Sequence, residues 1–352
     1  MSLLAPYFDA QLQAPIDWAD DRGQQTPACF GAAEQEYQAL VHGVGIVDLT
    51  HGGVVSLSGP DRFSFLSGLI TNQINRVDEH RSIYAALLTP QGRYLWDFTV
   101  VQQQDQLLLC TEPDRVEDLC QHLQHYVLRS KVKLANMSDQ VGMIAVVGPQ
   151  AAAFLATLFP VVASSDSAEL GWTGLAMDGV LLWHDPRHTD FGWRLLVPAG
   201  QLPLLWDSLL NLKARAVGWL AWERYRIDRA LPRGGSELIV DTSLPLESGL
   251  LEMQGVDFTK GCYVGQETTS RSHHRATLKK RLYHIELVHE DPSVEPGSVV
   301  ALDNGREVGV VTSWSGSVGL AILRSQEVQE AAGVVQVAAT RATARKPAWA
   351  GW

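Results

Sequence analysis

Two segments of the chain, 54–70 and 143–159, share one pattern of apolar and polar positions. Each begins with a short apolar run, continues with Gly-Pro and then has a helical stretch with Phe-Leu at the matching place. Proline suits the first turn of a helix because the backbone N–H that it lacks has no partner there. Two copies are too few for a solenoid. The pattern predicts two similar α+β halves. The alternative is that strand-Gly-Pro-helix is simply a common connection, which also occurs in unrelated segments.

The apolar pattern elsewhere predicts further strands and helices. The segment SIYAALLTPQGRYLWDFTVV (82–101) predicts a hairpin whose turn is Pro90-Gln91-Gly92. The predicted helix at 217–230 is stopped by Pro232, which cannot continue a helix. The remaining predicted elements are a strand at 107–110, an amphipathic helix at 113–128, strands at 180–183 and 193–197, and a helix at 202–210.

From residue 282 onward the pattern changes to short apolar segments separated by Gly, Pro, Asn and Asp. This spacing is typical of a small all-β barrel or sandwich. We therefore place a boundary near residue 281 and expect three parts: 1–281, with the two α+β halves, 282–340, which is β-rich, and a tail at 341–352. The tail is polar with late tryptophans, and its pattern predicts no particular structure.

The composition is that of an ordinary globular protein. The chain has 352 residues, of which 46% are hydrophobic and 19% are charged, so it can bury sizeable cores. It contains no apolar run near the ~20 residues needed to cross a bilayer. Its first residues have no basic start and no long apolar core, unlike a signal peptide. We therefore predict a cytosolic (cytoplasmic) location and no membrane partner.

The formal charge is −11, from 28 Lys+Arg against 39 Asp+Glu. This balance argues against a whole-surface nucleic-acid binder, so direct nucleic-acid binding is not expected. One local basic island stands out, because no acid occurs between Glu267 and Glu286. It could meet a small anion, an RNA or an acidic partner, or could be a solvated charge run. Its cationic residues are Arg271, Arg275, Lys279, Lys280 and Arg281.

The cysteines predict no metal site. Cys29, Cys110, Cys120 and Cys262 form no CxxC pair and have no zinc spacing. Cys110 and Cys120 lie in apolar or amphipathic segments and are expected to be small buried hydrophobes. Cys29 lies in a loop-like stretch, and the residues around it do not point to a function.

Cys262 differs from the other cysteines in its surroundings. It lies in DFTKGCYVGQE (257–267), close to two glycines and beside Lys260. Glycine permits backbone conformations that are closed to other residues and lets a ligand approach closely. A neighbouring cation favours the thiolate, which is the reactive form. The alternative is a tight turn with an inert cysteine.

The segment KGCYVGQE (260–267) resembles the signature K-G-C-[aromatic]-x-G-Q-E of the YgfZ-type folate-binding proteins, which are relatives of the aminomethyltransferase (T-protein) of the glycine cleavage system. DRALP at 228–232, PLESGL at 245–250 and GRYLWD at 92–97 are similar to further segments of these proteins. The likeness covers most of the chain and is strongest at 223–275. It implies two T-protein-like α+β folate-binding subdomains followed by a small C-terminal β-barrel.

The resemblance implies a tetrahydrofolate-binding accessory protein for the assembly or repair of iron–sulfur clusters, with an indirect effect on tRNA modification. The expected partners are reduced folate and iron–sulfur client or assembly proteins. Cys262 would be the reactive group, with Lys260 beside it. A one-carbon transferase and a non-catalytic folate-sensing adaptor are the alternatives. Against the transferase, the T-protein lacks this cysteine signature, and its paired acids are replaced here by Trp96-Asp97.

A folate site needs a carboxylate for the amino group and ring N–H of the pterin, inside a largely apolar cleft. Asp97 is the first candidate because it follows Leu95-Trp96 on an apolar strand, although an outward-facing strand residue is the alternative. Asp190 lies in HTDFGW, which resembles the pterin-binding glutamate turn of the T-protein. Here the residue is Asp instead of Glu, and the preceding glycine is missing.

The signature and the basic island supply the other expected folate contacts. Arg271 and Arg275 follow the signature where the family also tends to carry basic residues, so they are candidates for the glutamate tail. Tyr263, Gln266 and Glu267 of the signature complete the expected set.

Overall fold

The computed structural model describes residues 1–11, 17–176, 178–274 and 278–352. The helices are α1 (Ala5–Gln11), α2 (Ala33–His42), α3 (Arg62–Ser67), α4 (Val116–Val127), α5 (Ala151–Leu158), α6 (Leu202–Asn211), α7 (Trp219–Asp228), α8 (Gln266–His274) and α9 (Ser325–Glu330). The strands are β1 (Trp18–Asp21), β2 (Gln24–Pro27), β3 (Gly45–Asp48), β4 (Gly53–Ser58), β5 (Ile83–Leu88), β6 (Tyr94–Gln103), β7 (Gln106–Thr111), β8 (Lys133–Asn136), β9 (Val141–Val147), β10 (Thr173–Leu175), β11 (Leu181–His184), β12 (Trp193–Pro198), β13 (Arg215–Val217), β14 (Lys280–Leu287), β15 (Val299–Ala301), β16 (Glu307–Ser315), β17 (Val318–Arg324), β18 (Val334–Val337) and β19 (Thr340–Arg345).

The chain forms two compact units. The first contains Met1–Ala85 and Asp97–Trp222, and the second contains Ala86–Trp96 and Glu223–Trp352. The residues between Glu223 and the first barrel strand therefore group with the barrel that follows them. The domain boundaries expected near residues 281 and 340 stay predictions.

A six-stranded sheet in the order β10-β11-β12-β9-β3-β13 organises the first unit. Its pairs are antiparallel except β3 and β13, which are parallel. Val146 on the central strand pairs with both Trp193 and Ile46, and all three side chains are buried. Trp206 on α6 belongs to the same apolar cluster. Burial of this kind contributes about 25 cal/mol per Å² of apolar surface, so this cluster is a main source of stability.

A five-stranded sheet in the order β5-β6-β7-β4-β8 contains the predicted hairpin. The two copies of the sequence repeat start on β4 and β9, and the glycine after each strand has positive φ, +107° at Gly59 and +120° at Gly148. A Cβ at Gly59 would lie 2.2 Å from the Lys131 carbonyl oxygen, and one at Gly148 would lie 2.4 Å from that of Gly43. The copies therefore share backbone conformation as well as sequence.

The β-rich end is a closed barrel with the strand order β14-β17-β16-β15-β18-β19. Ile285 on β14 pairs with Gly319 on one side and Ala344 on the other, and this double pairing of β14 closes the barrel. Alternate residues such as Tyr283 and Ile285 point into an apolar core. The strands continue to Arg345, so part of the stretch expected to be a tail is the last barrel strand.

The residues after β19 pack against other parts of the second unit. The indole of Trp349 donates a hydrogen bond to the carbonyl of Ala230 at 3.2 Å. A Cβ at Gly249 would lie 2.4 Å from the same indole ring. Trp352 contacts Tyr283 edge to face, with 5.4 Å between ring centroids. None of the described helices combines the length and the apolarity needed to cross a membrane.

A buried ionic network also holds the second unit together. Arg226, only 1% exposed, bonds to Glu237 at 2.9 Å and to Ser313 Oγ at 2.8 Å. Its Nε bonds to Glu223 at 2.9 Å. The network therefore ties α7 to the loop at 233–238 and to barrel strand β16. Losing one member would leave a buried charge without compensation, which is costly.

Candidate functional site

Asp97 is a buried carboxylate in the first unit. It lies on β6, is 5% exposed, and accepts a hydrogen bond of 2.7 Å from the hydroxyl of Tyr84 on β5. Burial, together with the nearby charge of Asp97, raises the pKa of Tyr84 well above its ordinary value. Tyr84 therefore stays a neutral hydrogen-bond donor. The alternative interpretation was that Asp97 is an outward-facing strand residue. The structure excludes it, because the side chain does not face solvent.

Arg187 lies near this carboxylate and between aromatic rings. Its guanidinium carbon is 3.6 Å from the ring centroid of Phe191 and 5.4 Å from that of Tyr84. It makes two hydrogen bonds to Asp185, at 2.9 and 2.7 Å. Burial alone would raise the pKa of Asp185, but Arg187 and Arg194 lower it below its usual value. Asp185 is therefore ionised and holds both cations.

Arg194 is the second buried cation of this group. It is 4% exposed, lies 3.2 Å from Asp185, and donates a 2.6 Å hydrogen bond to the carbonyl of Phe191. Burial lowers its pKa to about 10, and Asp185 opposes this effect. Its guanidinium carbon is 5.8 Å from a ring of Trp222. We call this set the Asp97 cluster; its members are Tyr84, Asp97, Asp185, Arg187, Phe191 and Arg194.

Asp190 lies in a short 3₁₀ turn, Thr189–Phe191, beside the Asp97 cluster. Its side chain is 35% exposed, and its carboxylate is 3.6 Å from Nδ1 of His188. The backbone N–H of Asp190 also donates to His188 Nδ1 at 3.2 Å. The turn thus contributes Phe191 to the cluster, while the backbone N–H of Asp190 is held by His188. A role for Asp190 in binding stays a prediction.

Cys262 is an exposed thiol in the second unit. Lys260, two residues before it, is only 5% exposed, and its Nζ lies 4.7 Å from the ring centroid of Tyr263. Burial lowers the pKa of Lys260 to about 8, and the charges of Asp257 and Cys262 oppose this effect. Burial raises the pKa of Tyr263 to about 12. The signature therefore combines an exposed thiol with a buried amine and a buried phenol.

The other three cysteines are more enclosed. Cys110 is buried, and burial raises its pKa to about 12. Cys29 and Cys120 are partly buried, and burial also raises the pKa of each. A thiol that is protonated and enclosed reacts slowly, so Cys262 is the best placed of the four for chemistry.

The second glycine of the signature is required by a close backbone approach. Gly265 has φ +84°, and a Cβ there would lie 2.5 Å from the carbonyl oxygen of Thr89 and 3.1 Å from Cα of Gly92. Gly92, the turn residue of the predicted hairpin, has φ +75°. The signature loop therefore packs directly on the hairpin turn. A Cβ at Gly261 would meet nothing within 4 Å, so that position is open.

Gln266 and Glu267 begin α8, which carries the first residues of the basic island. Exposed Arg271 forms an ion pair with exposed Glu267, one helical turn earlier. Arg281 lies 3.8 Å from Glu252 and over the ring of Trp352 at 5.3 Å. Nearby acidic residues therefore neutralise part of the positive charge of the basic island, which the sequence suggested was available to bind an anion. Arg275 lies outside the described residues.

The predicted site residues thus fall into two groups. Asp97 and Asp190 belong to the first unit, whereas the signature residues and Arg271 belong to the second. Sequence reasoning missed Asp185, Arg187 and Arg194. A signal was present at Arg194, because an arginine within the apolar strand WRLLVP must have an acid nearby if its side chain is buried.

Two family models match the chain. The model described as the GCVT N-terminal domain matches residues 7–257, and the CAF17 C-terminal beta-barrel domain matches residues 279–352. The crystal structure of glycine cleavage system aminomethyltransferase T from Bartonella henselae superposes with a TM-score of 0.82. It covers 98% of this chain and 97% of its own at 16% identity, so it shows the fold alone. The predicted fold, α+β subdomains followed by a β-barrel, is confirmed.

Curated relatives include the mitochondrial iron-sulfur cluster assembly factor IBA57 of Mus musculus and of Homo sapiens. The mouse protein is 32% identical over 301 residues, and the human protein is 31% identical over 300. Each alignment covers 78% of this chain and 76% of the relative. The homologue from Neurospora crassa is also mitochondrial by name. The sequence-based prediction of a cytosolic location is therefore wrong, because these relatives are mitochondrial proteins.

Proposed function

We propose that this chain, which belongs to the family of the GCVT N-terminal domain, assists the assembly or repair of iron–sulfur clusters in client enzymes. The chain also has a CAF17-type C-terminal barrel and is homologous to IBA57. Within that role it is of the YgfZ type and binds tetrahydrofolate. Its partners are client or assembly proteins, and any effect on tRNA modification is indirect, through a client enzyme.

The exposed thiol of Cys262 is the observation that carries this proposal. It lies in the signature, beside a buried amine whose pKa of about 8 permits proton exchange near neutral pH. Thiolates are the natural ligands of iron in such clusters. A single thiol does not hold a cluster by itself, so the cluster is cargo that Cys262 would contact together with ligands from a partner protein.

The Asp97 cluster fits a reduced pterin. Asp97 supplies a buried carboxylate acceptor for the pterin amino group and ring N–H, and Tyr84 and Phe191 add apolar surroundings, with Arg187 against their rings. Reduced folate, when bound, provides one-carbon chemistry that side chains lack. Arg187 and Arg194 would keep Asp185 ionised and fix the turn that carries Phe191.

The glutamate tail of folate would meet Arg271 and Arg275. The ion pair of Arg271 with Glu267 joins two exposed side chains and is worth at most about 1 kcal/mol. Arg271 can therefore exchange Glu267 for a carboxylate of the ligand at little cost. Tyr263, Gln266, Glu267 and Asp190 stay proposed folate contacts.

Deletion of the gene tests this function at the level of the cell. We expect radical-type and dehydratase iron–sulfur enzymes to lose activity in the deletion strain, while enzymes without clusters keep theirs. The deletion should leave glycine cleavage unchanged. Loss of glycine cleavage with intact iron–sulfur enzymes would overturn the proposal and favour the one-carbon transferase.

A further inference from the structure

We propose that a face of the first unit, formed by α6, β10 and the end of α5, is a docking surface for a basic, amphipathic segment of a partner protein. This face lies outside the Asp97 cluster. It contains an apolar groove and an acidic pocket, which share Val161 in their walls. The two cavities are therefore neighbours on one surface.

The apolar groove has a volume of about 400 Å³. Leu204 and Leu175 in its walls are 72% and 50% exposed, and buried Phe159 lies at its floor. An isolated exposed leucine needs no explanation, whereas a contiguous apolar groove marks an interaction site. We define the groove by Leu158, Phe159, Val161, Leu175, Leu204 and Leu205.

The core of the unit does not account for Leu204 on α6. Leu202, Trp206 and Leu209 form the face of α6 that packs into the apolar core. Leu204 lies on the rest of the helix surface and lines the groove, where it is 72% exposed, whereas Leu205 lines the groove and also packs against the core. A surface helix of a globular protein normally has polar residues on its outer face. Leu204 departs from this pattern, and its continuity with exposed Leu175 and Val161 around the groove indicates a partner.

The acidic pocket has a volume of about 550 Å³ and is lined by Asp78, Asp166 and Glu169. Asp178 adds a further carboxylate at the edge of the apolar groove, and all four acids are exposed. Among the described side chains that line the two cavities, Arg81 carries the one permanent positive charge. The surface therefore combines apolar contact area with an excess of negative charge.

The negative charge of this surface indicates which kind of partner binds to it. An amphipathic helix docks by placing apolar side chains at i, i+3, i+4 and i+7 into a groove, and Lys or Arg beside them would meet the acids. A second copy of this chain would place the same four carboxylates opposite each other in a two-fold interface. An anionic membrane surface would be repelled in the same way. A basic amphipathic segment of another protein complements both cavities, because its apolar side chains fill the groove and its cations pair with the acids.

Fluorescence anisotropy with a labelled Leu/Lys amphipathic peptide of about four helical turns tests the proposal on the full chain. We expect saturable binding at physiological ionic strength, weakened about tenfold by Leu204→Glu. Leu128→Glu is the matched control, because Leu128 is 89% exposed in the same unit but lies outside the groove. A double substitution of Glu169→Lys and Asp178→Lys should also weaken binding, whereas Asp139→Lys should not.

Several results would overturn this proposal. Equal affinity of the wild type and Leu204→Glu would show that the peptide binds through net charge alone. Equal binding of a Leu/Glu peptide would remove the role of the acids. Dimerisation in sedimentation experiments, or binding to phosphatidylserine vesicles, that Leu204→Glu abolishes would assign the surface to a second copy or to a membrane.

Discussion

The hydroxyl of Tyr84 donates a 2.7 Å hydrogen bond to the carboxylate of Asp97, and the two side chains lie on adjacent strands with at most 5% exposure. A buried carboxylate needs such partners, since an isolated charge in an apolar setting is costly. Tyr84 fixes the orientation of Asp97 from one side. In the proposed folate site, this orientation would let Asp97 accept hydrogen bonds from the pterin.

Asp97→Asn should therefore weaken the binding of tetrahydrofolate about tenfold or more. The substitution keeps the shape but removes the charged acceptor, and a hydrogen bond to a charged group is worth roughly 1.5–3 kcal/mol. Isothermal titration calorimetry measures the change, with Asp139→Asn as a control at an exposed position of the same unit. An unchanged affinity would remove Asp97 from the folate site.

The pKa of Lys260 predicts a pH dependence of stability. Burial lowers it to about 8 in the folded protein, against about 10.4 in an unfolded chain. Between these values the unfolded state binds more protons, so the free energy of unfolding should rise with pH from about 8 to about 10.4. The gain is at most about 3 kcal/mol.

Urea unfolding of the wild type and of Lys260→Met across this pH range isolates the effect. Other groups titrate in both proteins and cancel in the difference. The wild type should gain stability relative to the variant as the pH rises. A difference that stays constant with pH would mean that Lys260 is not desolvated in solution.

Gly265→Ala should destabilise the protein by at least about 1–2 kcal/mol, the cost of a left-handed conformation for a residue with a Cβ. Contact with the Thr89 carbonyl oxygen at 2.5 Å adds to this cost. Gly261→Ala is the matched control, because a Cβ there meets nothing within 4 Å. Equal unfolding free energies of the two variants would contradict the observed packing of the signature loop on the hairpin turn.

Glu237→Ala should cost about 3–5 kcal/mol, since it leaves buried Arg226 without one of its carboxylates. Glu267→Ala removes the exposed ion pair with Arg271 and should cost less than about 1 kcal/mol. Denaturant unfolding compares the two variants directly. Similar losses would show that the Arg226 network contributes no more than a surface pair.

Local signals in the sequence predicted much of this fold. Short apolar segments separated by Gly, Pro, Asn and Asp from residue 282 onward predicted the β-rich end, and the Gly-Pro repeat predicted the matched turns at Gly59 and Gly148. Neither depends on contacts between distant residues. The signature was conspicuous for the same reason, because its glycines, lysine and thiol are adjacent in the chain.

The Asp97 cluster could not be predicted in this way. Arg187 and Phe191 come from a turn about ninety positions after Asp97, and only the tertiary fold brings them to Tyr84. For the basic island, the sequence showed the positive charges but could not show which acidic residues lie beside them in the fold. Arg271 finds Glu267 on the same helix, and Arg281 lies near Glu252.

The most direct test of the proposed function is rescue of the deletion strain by Cys262→Ala. Cys262 is exposed, so alanine should leave the fold and the folate affinity nearly unchanged. Cys120→Ala, at a partly buried cysteine, is the control and should restore the iron–sulfur enzymes as the wild type does. We predict that Cys262→Ala, expressed at the wild-type level, restores none of their activity. Full rescue by Cys262→Ala would contradict a role for the thiol and favour a non-catalytic adaptor.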